Sequence, residues 1–95
     1  MDAKAIKSMV VAALKRAQEI SGEEYVEIGP EDKPLGKLDG FDSLKGIEVT
    51  VMIEGELGCE IERDSLFVWD NRATTLAEVC AYLGEVTAAS EKAVA

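Results

Sequence analysis

Residues 3 to 20 place Ile6, Met9, Val10, Ala13, Leu14, Ala17 and Ile20 at helical spacing, with Lys4, Lys7, Lys15, Arg16 and Glu19 largely on the other side. A helix with one long apolar stripe cannot stand alone in water, so the rest of the chain must supply elements that cover it. Gly22 is a natural stop for this helix. Between Ser21 and Phe41 come Gly29-Pro30, Pro34, Gly36 and Gly40 among charged residues, a pattern that predicts a loop. A loop this long inside a compact domain is uncommon and is more often functional than accidental. Tyr25, Val26, Ile28, Leu35 and Leu38 are its expected attachments to the core.

The next segment, residues 43 to 57, supports two periodicities. Ile47, Val49, Val51 and Ile53 are β-branched and alternate as in a strand, whereas Leu44, Ile47, Val51 and Met52 recur at helical spacing. Asp42 stands where an N-cap would, Leu57-Gly58 reads as a C-terminal stop, and these signals favour a helix. Gly46 and Gly55 each weaken it by about 1 kcal/mol relative to alanine. Farther on, Asp64 to Trp69 is expected to form one helical turn before Asp70-Asn71-Arg72 breaks it. Thr75-Leu76-Ala77-Glu78 matches a capping box, and Leu76, Val79, Cys80 and Leu83 form a stripe that ends at Gly84. Residues 1 to 84 then make one domain, and the alanine-rich tail 85 to 95 is expected as frayed helix or disordered.

Charge and composition exclude several functions. With 95 residues the chain has a core but no room for a deep, many-walled active site. Ten Lys and Arg against 19 Asp and Glu give a net charge of −9, which disfavours nucleic acid and anionic lipid and favours partners with basic patches. Cys59 and Cys80 form no CxxC, and without any histidine they cannot complete an ordinary zinc site, so both are expected as core thiols. Nothing supplies a nucleophile with its own base. There is no signal-like start and no apolar run of about 18 residues, so no membrane insertion is expected; the chain reads as a cytoplasmic monomer or a piece released from a longer polypeptide.

The tripeptide Asp-Ser-Leu occurs twice, at 42–44 and at 64–66, and only context separates the copies. The first, in Gly40-Phe41-Asp42-Ser43-Leu44, leads into Ile47-Glu48-Val49 and then Ile53-Glu54-Gly55-Glu56-Leu57-Gly58-Cys59-Glu60-Ile61. Over residues 3 to 84 the order of parts, and over 40 to 61 the spacing, resemble the acyl carrier proteins, which commonly show Leu-Gly-x-Asp-Ser-Leu followed by a hydrophobic-Glu-hydrophobic step. The resemblance implies an all-α fold, a small four-helix bundle of acyl-carrier type with a long loop between the first and second helices and a short third helix. It also implies that Ser43 is esterified by a 4'-phosphopantetheine arm from coenzyme A, whose thiol holds acyl groups as thioesters, and that the protein is a carrier and not an enzyme.

By the same resemblance, Asp42 helps dock a phosphopantetheinyl transferase while capping the helix. Leu44 is either an exposed contact for partners or a core residue. Glu48, Glu54 and Glu56 line the face that meets acyl-transfer and synthase enzymes with basic docking surfaces. Ile47, Val51 and Ile53, with Met9, Val10, Leu14, Leu76 and Val79, are expected inside, where in the family such side chains bound an acyl cavity. Ser65 stands where the family has its short third helix and is expected to cap it. Lys45 departs from the pattern, since carriers of primary fatty-acid synthesis usually have an acid there; this points to a specialised carrier in polyketide or related acyl chemistry. The competing readings are an unmodified, carrier-like acidic interaction module, a peptidyl or aminoacyl carrier, and a divalent-cation-binding domain built on Asp39 and Asp42. The last lacks the ligand ladder of a calcium loop.

Overall fold

The computed structural model describes residues 1–94, and side chains through residue 90. Four helices, α1 (Ala3–Ile20), α2 (Pro34–Lys37), α3 (Ser43–Leu57) and α4 (Leu76–Val94), are joined by loops and one two-residue hairpin, β1 (Val68–Trp69) with β2 (Arg72–Ala73). The fold is all-α, with α1 packed against both α3 and α4.

Helix α1 begins where the Asp2 carboxylate accepts the Ala5 N–H at 2.7 Å. Its buried face is Ile6, Val10, Ala13, Leu14 and Ala17, as the spacing predicts, with two differences. Ile20 lies at the last turn, beyond the reach of the core, and is 72% exposed. Gln18 takes a fully buried place instead, because its amide ties down the long loop: Nε2 donates to Asp39 O at 2.8 Å and Glu24 O at 3.3 Å. One buried side chain thus holds the two ends of the loop together. Ile28, Pro34, Leu38 and Phe41 anchor its length, while Val26 stays at the surface. Pro34–Lys37 is a single turn in which Gly36 adopts a φ of +106°, a value an L side chain strains to reach.

The region 43–57 is a helix. Asp42 Oδ1 accepts the Lys45 N–H at 2.9 Å at its start, and Gly58, at φ +66°, closes it in the left-handed region. Gly46, Val49, Thr50 and Ile53 form the buried face. The strand-like alternation arises because this helix is apolar on two faces: Val49 and Ile53 point inward, whereas Ile47 is 40% and Val51 60% exposed. The expectation that Ile47 and Val51 are interior is therefore corrected, while Ile53, Val10, Leu14, Leu76 and Val79 are core and Met9 is half-buried.

The helical turn expected at Asp64 to Trp69 is absent, and the short helical element of the bundle lies in the loop at α2 instead. Residues 64–67 are non-helical, and residues 68–73 fold back through Asp70 and Asn71, both at positive φ (56° and 61°), as a two-residue hairpin turn needs. Threonine hydroxyls substitute for helical bonds: Leu66 donates its N–H to Thr50 Oγ1 at 2.9 Å, and its carbonyl accepts from Thr74 Oγ1 at 2.6 Å. The Arg63 guanidinium lies between the rings of Trp69, at 3.9 Å, and Tyr82, at 3.8 Å, fastening this segment to α4. Phe67, fully buried, meets Phe41 edge to face at 5.3 Å.

Helix α4 starts with the predicted capping box, Glu78 N–H to Thr75 Oγ1 at 3.1 Å and Thr75 N–H to Glu78 Oε1 at 2.9 Å. The backbone bond from Thr75 is the main cause that holds the Glu78 carboxyl below its ordinary pKa, aided by Arg72. The loop completes the helix start, since Asp32 O and Pro30 O accept from Leu76 N and Ala77 N, each at 2.9 Å. Gly84 does not end the helix. It packs beside Ile6 of α1, whose Cδ1 lies 4.0 Å from where a Cβ would be, an ordinary contact distance, and one turn later buried Thr87 donates to Leu83 O at 2.9 Å. The expected tail is thus a continuation of α4 as far as Val94; residue 95 lies outside the described residues.

Candidate functional site

Three features put Ser43 at the surface. Leu38 and Phe41 are buried on either side of a turn closed by Phe41 N–H to Leu38 O at 3.2 Å. Between them Gly40 has φ +69°, and a Cβ there would come within 3.1 Å of Glu23. Asp42 is extended (φ −105°, ψ −177°) and spends its carboxylate on Lys45 N–H, so the chain enters α3 at Ser43 with the hydroxyl-bearing residue exposed. Among the described residues no acceptor takes the N–H groups of Ser43 and Leu44. These donors, with the helix dipole, favour a negative group at this position by about 0.3–1 kcal/mol. A phosphodiester on Ser43 suits such a helix start. The hydroxyl itself has no base in this chain, which contains no histidine.

Of the other expected contact residues, Leu44 is exposed at 64%, which decides against its being core. Glu48 and Glu56 are exposed and Lys45 is half-buried. Glu54 differs: its carboxylate accepts the Ile61 N–H at 2.7 Å, so it closes the loop after α3 and is not free on the outer face. Ser65 is buried, 8% exposed, and its Oγ accepts from Phe67 N–H at 3.1 Å; it caps a turn two residues long and not a helix.

Ile47 and Val51, expected to bound an acyl cavity, face out and line no interior space. An apolar groove of about 460 Å³ lies between the start of α1 and α4, lined by Ile6, Leu76, Cys80 and Gly84 among others, with no residue from α3. Cys59 and Cys80 are free and half-buried, not core thiols. Burial raises the Cys80 thiol pKa, and Lys7 nearby opposes that rise. Among the described residues no three His, Cys, Asp or Glu side chains converge as a metal site, and no helix is long and apolar enough to cross a membrane.

The residues that support the site without belonging to it are Gln18, Thr50 and Thr74. Gln18 stands on the helical face between Leu14 and Ile20, so a buried amide there was one available signal; nothing local marks Thr50 or Thr74, whose partners lie 16 and 8 positions away.

A helical bundle that presents an exposed serine at a helix start has the arrangement a carrier domain needs. The family model described as phosphopantetheine attachment site matches residues 4–83, and the chain belongs to that family. It is a phosphopantetheine-carrying protein of acyl-carrier type, and 4'-phosphopantetheine is its covalent cofactor. No curated protein and no solved structure matches the chain.

Proposed function

We propose that Ser43 is the attachment residue and that the protein presents acyl groups to partner enzymes of a dedicated fatty-acid, polyketide or related acyl pathway in the cytoplasm. The observation that carries the assignment is the contrast in access between the two serines of the repeated tripeptide: Ser43 is exposed at the first position of α3, and Ser65 is buried with its oxygen already bonded. When attached, the arm supplies a thiol that holds acyl groups as thioesters. This chain's own residues do the positioning. Phe41 anchors the approach, Asp42 fixes the first turn, and the open N–H groups of Ser43 and Leu44 receive the phosphodiester charge. The base that activates the hydroxyl comes from the phosphopantetheinyl transferase, so the chain is a substrate and carrier and not a catalyst. Lys45, standing on the same helix where primary fatty-acid carriers usually place an acid, supports a specialised pathway.

The test is intact-protein mass before and after incubation with coenzyme A, magnesium and a broad-specificity transferase, on the parent, Ser43→Ala and Ser65→Ala. One phosphopantetheine is gained by the parent and by Ser65→Ala and none by Ser43→Ala. No gain in the folded parent would sink the assignment and favour an unmodified interaction module.

A further inference from the structure

Gln18 is the one polar side chain of α1 that the fold buries completely. Both groups beside its Nε2 are carbonyls, Asp39 O at 2.8 Å and Glu24 O at 3.3 Å, and only the donor end of an amide serves them. The acceptor end is left over: Oε1 is buried and has no hydrogen-bond partner among the described residues. A buried acceptor without a partner costs more than an ordinary hydrogen bond contributes. An apolar side chain of the same length would avoid that cost, since Glu24 and Asp39 are exposed residues whose carbonyls can turn to water. Stability alone gives little reason for a glutamine here.

What the amide does is hold a carbonyl four residues before Ser43. The next residue, Gly40, turns the chain at φ +69°, and the Glu23 side chain lies against that turn, 3.1 Å from where a Cβ would be. Glu23 is itself held by its N–H, which donates to Gln18 O at 2.8 Å. One residue thus grips the bend from two sides, by its side chain through Asp39 and by its carbonyl through Glu23. Phe41 then enters the core. A segment fastened at one buried ring still pivots about it; Asp39 O is the second fixed point behind the ring, as the Asp42 cap is the one ahead.

We infer that Gln18 is a positioning residue for the modification of Ser43: its amide sets the bend at Asp39-Gly40 from which the serine enters α3, and so governs the transfer step and not the docking of the transferase. The inference rests on the Ser43 assignment. Helix α3 has its own cap at Asp42 and its own buried face, so it stays formed when the tie to Asp39 is lost. What falls is the share of bound molecules in which the hydroxyl stands in place.

The probe is a broad-specificity phosphopantetheinyl transferase with coenzyme A and magnesium, acting on the parent, Gln18→Met, Gly40→Ala and Ser43→Ala, with kcat and KM read separately and a thermal melt for each. Methionine is unbranched, has a similar helix propensity and offers no donor. In this assay the carrier is the substrate, so partial unfolding or weaker docking raises KM, whereas a misplaced hydroxyl in the bound complex lowers kcat. Gln18→Met is expected to lose roughly tenfold in kcat, with KM changed by less than about twofold. Its Tm stays within about 5 °C of the parent, because the lost bonds are offset by removal of the unpaired oxygen. Amide exchange adds a local reading: the Phe41 N–H, bonded to Leu38 O, exchanges faster in Gln18→Met, while the Gly46 N–H, bonded to Asp42 O, keeps its rate. Gly40→Ala strains the same bend from the exposed side and is expected to show the same split; it decides the question should Gln18→Met not fold. If kcat is unchanged, or if the loss lies in KM, Gln18 is only a tie for the loop, and the positioning role is wrong while the Ser43 assignment stands. If the parent gains no phosphopantetheine, or Ser43→Ala gains it as the parent does, the assignment itself falls and this inference with it.

Discussion

The same three residues, Asp-Ser-Leu, occur at 42–44 and 64–66 and end in opposite environments. In the first copy Asp42 caps a helix, Ser43 is exposed and Leu44 is 64% exposed; in the second Ser65 is buried, Leu66 is fully buried, and both backbone groups of Leu66 are held by threonines. The difference lies in the residues downstream of each copy. After Leu44, positions 46, 49, 50 and 53 give one face small or apolar enough to bury, so a helix is stabilised from its first turn. After Leu66 come Phe67-Val68-Trp69 and then the Asp70-Asn71 turn, residues suited to extended chain and a hairpin. A tripeptide has no fate of its own; its neighbours decide whether its serine is offered to the solvent or consumed by the fold. The two copies also touch through their aromatic neighbours, Phe41 just before one and Phe67 just after the other.

That contact gives the strongest way to break the comparison. Phe67→Ala removes a fully buried ring and its edge-to-face partner, and is expected to destabilise the protein by about 3–5 kcal/mol. Urea unfolding measures the loss, and a shift below about 2 kcal/mol would mean that the segment after the second copy is not what seats the approach to the first. A smaller effect tests how closely the copies pack. Gly46→Ala should gain helix propensity of about 1 kcal/mol, but its Cβ would lie 3.1 Å from Ser65 Oγ, which the Phe67 N–H holds in place. It is expected to destabilise the parent and to stabilise the Ser65→Ala variant, a coupling of about 1–2 kcal/mol in a double-mutant cycle. Additive effects would show that Ser65 yields freely.

The contrast also explains what could be read without a structure. Helix α1 has a single apolar stripe, and its bounds come from spacing and Gly22, while the Asp2 cap is seen only in the structure. The bounds of α3 come from Asp42 and Gly58 in the same way, but its inner face does not, because apolar residues on both faces make Ile47 and Val51 look like core. The place of Ser43 at a helix start is legible for the same local reason. The segment 64–69 is not, since its conformation depends on Thr50 and Thr74 hydroxyls and on Arg63 between Trp69 and Tyr82. The diversion of Glu54 to the Ile61 N–H, seven residues on, is likewise a property of the folded chain and not of the helix pattern.

The smallest effect asks whether the acid of the tripeptide acts alone. Asp42→Ala removes the acceptor for Lys45 N–H and is expected to cost about 1 kcal/mol. Asp64 is exposed and makes no hydrogen bond or ion pair among the described residues, so Asp64→Ala is expected to stay within about 0.5 kcal/mol of the parent. Amide hydrogen exchange adds a local reading, since loss of the Asp42 cap should speed exchange at Lys45 and Gly46 and leave Leu66 protected by Thr50. Equal losses from the two alanine variants would mean that the tripeptide stabilises its surroundings in either setting. Unequal losses, with fraying confined to the first turn of α3, would tie the presentation of Ser43 to one carboxylate and its one hydrogen bond, a feature the second copy has the residue for but not the helix.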